Sequence, residues 1–305
     1  MAEFTEARDL EELAGGVVIC ATHRLARRLR ERHDLARRAR GQARWAPLDT
    51  LTLDAWLARV TGAALLAGEI DARQAPRLAL SPLQERLLWE RVIAADADAA
   101  GEPAENALFD REGLAAAAGE ANDLMEVWGL PVAGAAGEPS EETSRFLHWR
   151  RLLRAECQRG GWLEAARLRA WQLGVLAGGA GRLPTKLAFA GFDRHNPQER
   201  ELARLLAARG VTVRELVLGR EQAGAAQVAA LPDRRAECRA VAAWAAARLE
   251  REPAARLGLV VPQLAAVRGL LAAALDDALH PGALAPGQAE MPRRYNFSLG
   301  LALAE

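Results

Sequence analysis

Lysine is almost missing from this sequence. Of its 40 basic residues only Lys186 is a lysine, and all the others are arginine. A phosphate loop needs glycine backbone N–H groups, a lysine reaching the β and γ phosphates, and a Ser or Thr hydroxyl on magnesium. Lys186 stands in GRLPTKLAFAGF, ahead of an apolar run rather than behind one, and Leu187 follows it. There is no Walker A site. A nuclease of the PD-(D/E)XK kind sets a carboxylate two residues before its lysine, so that metal and lysine polarise one water; Pro184 occupies that position. H-E-x-x-H and G-x-S-x-G are absent as well, and His23, His33, His148, His195 and His280 never fall at metal-ligand spacing. No cofactor, metal or catalytic residue is expected in this chain.

Other scarcities narrow the reading further. Three cysteines, Cys20, Cys157 and Cys238, are odd in number and far apart, which argues against a disulfide framework or a zinc site and for buried thiols. No apolar run approaches the roughly 20 residues that cross a bilayer. The N-terminus MAEFTEARDLEELAGG is acidic and polar, unlike a secretory signal. A cytoplasmic protein with no membrane partner is expected. Aromatics are 5% of the chain, with 8 Trp against 1 Tyr, so the large anchors are mostly indoles. Net charge is zero, with 40 acidic residues against 40 basic, and gives no global signal for a nucleic-acid partner.

The local distribution differs. Between Arg24 and Arg44 nine arginines face only Glu31 and Asp34. The stretch VVICATHRLARRLRERH at 17–33 reads as a buried strand turning at Thr22 into a helix over about 24–40, with Leu25, Leu29 and Ala36 on its core face and Arg24, Arg27, Arg28, Arg30 and Arg32 on a basic one. LDTLTLDAWLARV repeats the pattern, a strand passing into a helix near Asp54.

From 63 to 182 the sequence becomes Ala- and Leu-rich helices. In SPLQERLLWERVI, Ser81 and Gln84 form a capping box around Pro82, and Leu83, Leu87, Leu88 and Val92 an inward stripe. Trp128, Trp149, Trp162 and Trp171 read as packing anchors. The α/β pattern resumes with the strand KLAFAGF, a helix capped by Asn196 and Glu199 and ending at Gly210, and the strand VTVRELVL. A helix over about 233–250, the strand RLGLVVP and a helix over 263–279 follow. YNFSLGLALAE begins another strand-like run, and the natural protein is expected to continue past Glu305. Strands joined by crossover helices imply a parallel sheet covered on both faces.

In this order, VVICATHRLARRLRERHD, WAPLDTLTLDAWLARV, LSPLQERLLWERVI, FLHWRRLLRAECQRGGWLEAARL, LAFAGFDRHNPQERELARLL, RLGLVVPQLAAVR and YNFSLGLALA span nearly the whole chain. Together they resemble the N-terminal region of AddB-like helicase-nuclease proteins, most closely the bacterial family labelled probable DNA repair protein, which ends in a PD-(D/E)XK nuclease domain. The resemblance implies a degenerate superfamily 1 helicase-like, RecA-type parallel sheet with a large helical insertion. It places residues 1–62 and 183–222 in the first RecA-like lobe, 63–182 in the insertion and 223–305 at the start of a second, truncated lobe.

ATHRLARRLRERH resembles the helicase turn that touches the single-stranded DNA backbone, and DTLTLDAWL the next such motif. The strand carrying the phosphate loop is implied to be lost. The Asp-Glu pair that holds magnesium in active relatives is reduced to Asp193 followed by Arg194. The implied function is the non-catalytic part of a DNA repair nuclease, with Thr22, Arg24, Arg28 and Thr52 as candidate contacts to single-stranded DNA. Its implied partners are the nuclease domain C-terminal to this chain and a helicase subunit.

The residues leave alternatives open. The arginines equally describe an ordinary solvated helix face, and Thr22 and Thr52 equally describe helix caps. The chain also reads as a scaffold that assembles a repair complex without touching DNA.

Overall fold

The computed structural model describes residues 3–5, 15–99, 110–131, 140–217, 226–284 and 292–298. The chain divides into two compact units, Met1–Glu221 and Gln222–Glu305.

The larger unit is an α/β structure built on a parallel sheet. Its strands are β1 (Glu3–Thr5), β2 (Val17–Cys20), β3 (Asp49–Thr52), β6 (Lys186–Ala190) and β7 (Thr212–Val217), in the order β1-β7-β6-β2-β3. β2 pairs on both sides, Val17 to Cys20 matching Asp49 to Thr52 of β3 and Leu187 to Ala190 of β6. Its four apolar residues are all buried, as a strand covered on both faces requires. Val17 and Ile19 enter one core; Val18 and Cys20 enter the other.

The second core is closed by α1 (His23–Ala39), through Ala26 and Leu29. The first is closed by α2 (Leu53–Leu66), through Leu53, Trp56, Leu57 and Val60. It also takes Leu173 and Leu176 from α6 (Ala165–Ala177), and Leu202 and Leu206 from α7 (Pro197–Ala208). Asn196 and Glu199 make both bonds of the expected capping box. The strand Glu3–Thr5, paired with β7, has no counterpart in the expectations above.

Between β3 and β6 the chain makes a helical excursion through α3 (Pro82–Ala99), α4 (Arg111–Trp128) and α5 (Glu141–Gly160). Their common core joins Leu88, Trp89, Val92 and Ile93 to Ala115 and Ala118 and to Trp149, Leu153 and Cys157. The Ser81–Gln84 capping box forms, but the expected stripe is shifted. Leu83 and Leu87 are 57% and 52% exposed, and Trp89 and Ile93 take the inward positions.

A two-residue parallel pair, β4 (Leu78–Ala79) with β5 (Trp162–Leu163), ties both ends of the excursion together. Arg77 N–H donates to Gly161 at 2.7 Å, and Leu80 N–H to Leu163 at 2.9 Å. Gly161 sits at φ 70°, and a Cβ there would meet the Arg77 side chain at 2.9 Å, so this crossing needs glycine. Ala165 N–H donates to the Glu85 carboxylate at 2.6 Å, fixing the start of α6 against α3.

In the smaller unit, α8 (Arg234–Arg251) packs on α9 (Leu264–Leu279) through Cys238, Ala242, Leu271, Ala274 and Leu275. The expected strand RLGLVVP does not form. Leu259 and Val261 pack against the helices and Val260 is 94% exposed, but no ladder partner lies beside them among the described residues. Alternating burial is present without the hydrogen bonds that define a strand. Tyr295 and Phe297 pack on the same core; the expected run continues past 298, outside the described residues.

All three cysteines are free and buried, and burial pushes the thiols of Cys20 and Cys157 up to about 12.

Two measurements test this packing. Leu88→Ala should lower stability to urea by about 2–5 kcal/mol and Leu87→Ala by less than about 0.5 kcal/mol, because only the first opens a cavity. Burial holds the Glu85 carboxyl above its ordinary 4.5, assisted by Asp123 and Glu164 and opposed by the Ala165 N–H. A raised folded value stabilises fully below 4.5 and loses that contribution as pH rises through it. Glu85→Gln keeps an acceptor without the charge, so it should melt at least as high as the wild type at pH 7. The wild type should gain on it as the pH falls toward 4.5, and a gap widening in favour of the variant on acidification would contradict this.

Candidate nucleic-acid interface

In an open parallel sheet, ligands are met at the carboxyl ends of the strands, near the point where chain order reverses. Here that point lies at β2, because the chain runs from β2 outward to β3 and returns across it to β6. The turn after β2 is held to the last residue of β6 by Ala21 N–H donating to the Ala190 carbonyl at 3.0 Å. Thr22 and Thr52 both follow from this geometry. Cys20 is in register with Thr52, so Thr22, two residues further on, begins its helix beside the start of α2. Two helix N-termini therefore stand next to each other on one sheet edge, with first-turn N–H groups that no preceding carbonyl satisfies.

The two threonines differ. The Thr22 hydroxyl oxygen accepts from Leu25 N–H at 3.1 Å, the cap considered above, and its O–H can still donate outward. Thr52 holds the N-cap position of α2 with no side-chain cap bond, which leaves its hydroxyl without a partner among the described residues.

The arginines also separate. Arg24, in the first turn of α1, is exposed and forms no ion pair or side-chain hydrogen bond among the described residues. Arg28 lies one turn further from the sheet edge, 3.7 Å from Glu31, and Arg27 reaches the same carboxylate at 3.7 Å. These pairs are more than half exposed, so their attraction is weak and screened. Arg30 is not a member of the basic face. Its Nε donates to the Thr50 hydroxyl at 2.8 Å, and that hydroxyl donates to the Ala26 carbonyl at 2.8 Å, clamping α1 to β3. Arg37 donates to His33, which is 5% exposed and lies inward one turn after Leu29, while Ala36, expected on this face, is half-buried. Trp45 N–H donates to Asp34 at 2.6 Å, and that bond, ahead of weaker contributions from His33 and Arg38, keeps the carboxyl below its ordinary value.

Asp193 is exposed in the turn after β6, and the described residues contain no group of three His, Cys, Asp or Glu side chains able to hold a metal. Beside it lies a cluster that one-dimensional spacing does not show. His195 Nε2 is 2.9 Å from Glu215 of β7, and the imidazole stacks on Phe192 at 5.3 Å and meets Phe189 edge-on at 5.3 Å. Glu215 is 20 residues away in sequence, and only the parallel register of β6 and β7 brings it there. No helix among the described residues is long and apolar enough to cross a membrane. Neither a family model nor a curated protein matches this chain.

Thr50→Val keeps the shape of the buried side chain but leaves Arg30 Nε and the Ala26 carbonyl without their partner. It should cost about 1–3 kcal/mol in chemical denaturation, and a neutral result would show that α1 is not anchored through this bond.

Proposed function

We propose that this chain is the non-catalytic, helicase-like part of a DNA repair helicase-nuclease, which binds or guides single-stranded DNA for a nuclease domain outside the chain. The observation that carries this reading is the pair of adjacent helix N-termini at the carboxyl ends of β2 and β3, flanked by Arg24 and Thr52, whose side chains have no partner among the described residues. Backbone N–H groups, hydroxyls and guanidinium groups without carboxylate partners are what a phosphodiester chain meets in sequence-independent binding. Thr22, Arg24 and Thr52 are the first contacts, and Arg28 extends them along α1.

The sheet order, with a helical excursion between β3 and β6, supports a RecA-type first lobe, and the α8–α9 unit supports the beginning of a second. Without a phosphate-loop lysine the lobe positions DNA and does not drive translocation; a helicase partner subunit in the cytoplasm would supply the motor.

Two or three phosphate contacts correspond to affinities on the order of 10–100 μM at physiological salt, falling with a log–log salt slope of roughly −1.5 to −2. Changing Arg24 and Arg28 together to Glu reverses both charges and leaves Ala26 and Leu29 in the core. Fluorescence anisotropy on labelled single strands at low salt should show the double variant binding at least tenfold more weakly, with an unchanged melting temperature. Equal affinity for the variant and the wild type would remove this face from the DNA path and favour a scaffold that assembles a repair complex.

A further inference from the structure

The larger unit holds a second recess that the strand-binding edge does not use. It encloses about 630 Å³ between the end of α4, the turn after β6 and α7, and is lined chiefly by Trp128, Phe189, Arg194, His195, Arg200 and Arg204. That volume is in the range of small-molecule sites.

Its chemistry is one-sided. Three guanidinium groups line it and no carboxylate does. Arg204 is 3.2 Å from Glu201, whereas Arg194 and Arg200 make no ion pair or side-chain hydrogen bond among the described residues. The recess is also lined by an indole that packing does not account for. Trp128 is 45% exposed at the last position of α4, where Gly129 at φ 62° ends the helix, in contrast to Trp149, which is buried in the helical core. The expectation that Trp128 anchors packing is therefore corrected. One wall of the recess is fixed, because His195 is held by Glu215, stacked on Phe192 and met edge-on by Phe189.

We propose that this recess binds a nucleoside monophosphate unit, the base stacking on Trp128 and the phosphate held by Arg194 and Arg200. An inorganic anion alone would leave the exposed indole without a role, and an uncharged aromatic ring would leave two unpaired guanidinium groups facing it. A triphosphate is a poor fit, since the recess offers neither lysine nor a carboxylate for magnesium. The unit comes either as a free nucleotide or as the 5′-phosphorylated end of a strand. The inference stands on residues separate from Thr22, Arg24, Arg28 and Thr52, so it does not depend on that edge binding DNA.

The test uses the full chain and fluorescent etheno-adenosine monophosphate, followed by anisotropy. The probe should bind saturably, with adenosine and inorganic phosphate each competing at least tenfold more weakly than adenosine monophosphate. Trp128→Ala and Arg200→Ala, both at exposed positions and expected to melt like the wild type, should each weaken binding by about tenfold or more. Arg194→Ala serves as a second charge variant should Arg200→Ala not fold. The variant carrying Arg24→Glu and Arg28→Glu should bind the probe unchanged. A 5′-phosphorylated oligothymidylate competing tenfold better than its 5′-hydroxyl form identifies a strand end as the source; equal competition identifies the free nucleotide. No saturable binding at millimolar probe, or binding that the Trp128 and arginine variants leave intact, would overturn the proposal.

Discussion

Val17 to Cys20 carry the larger unit, because each is paired on both sides, to β3 and to β6, and buried, as Leu187 to Ala190 are between β2 and β7. Every other feature takes its place from that ladder. A slip of one residue would exchange Val17 and Ile19 with Val18 and Cys20 between two differently shaped cores, so the register is strongly specified. The same register pairs Cys20 with Thr52, which brings Thr22 to the start of α2, and leaves Ala21 bonded to Ala190, and so decides which turns share the sheet's carboxyl edge.

The replacement of lysine by arginine acquires a structural meaning here. Several arginines do work that a point charge on a flexible stem does poorly. Arg209 donates to the carbonyls of Leu176, Ala180 and Gly181, closing the end of α6. Arg150, 6% exposed, donates to Asn122 at 2.9 Å and pairs with Glu126, joining α5 to α4. Arg30 joins α1 to β3. Against these fork-shaped clamps, Arg24, Arg194 and Arg200 stand out as guanidinium groups without a partner among the described residues. A count of basic residues cannot separate the two groups; hydrogen-bond partners can.

Local signals in the sequence translated into structure where the interaction was itself local. The strands at 17–20, 49–52 and 186–190 and both capping boxes lie where apolar runs and cap residues place them. Readings failed where the partner was remote. The stripe of α3 was shifted because Leu87 and Leu88 are both apolar, and only the positions of α4 and α5 decide which turns inward. RLGLVVP has strand composition but no neighbour to pair with among the described residues, so its alternation ends as packing alone. The β4–β5 clamp joins residues some 84 positions apart with two residues on each side, too short for any periodic signal. Of the candidate site, Thr22 and Arg24 were legible as a strand-to-helix turn. The diversion of Arg30 to Thr50, the His195–Glu215 pair and the exposure of Trp128 all depend on elements meeting across the sheet.

The central claim is that the carboxyl edge of β2 and β3 meets a phosphodiester chain, and the backbone amides at that edge can report on it directly. The first N–H groups of α1 and α2, at 23–24 and 53–54, precede any intrahelical acceptor and should exchange rapidly in the free protein. Hydrogen–deuterium exchange with and without a saturating single-stranded oligonucleotide should show these amides slowed together, with the α8–α9 unit unchanged. Protection confined to other segments, with 23–24 and 53–54 exchanging as in the free protein, would contradict the account.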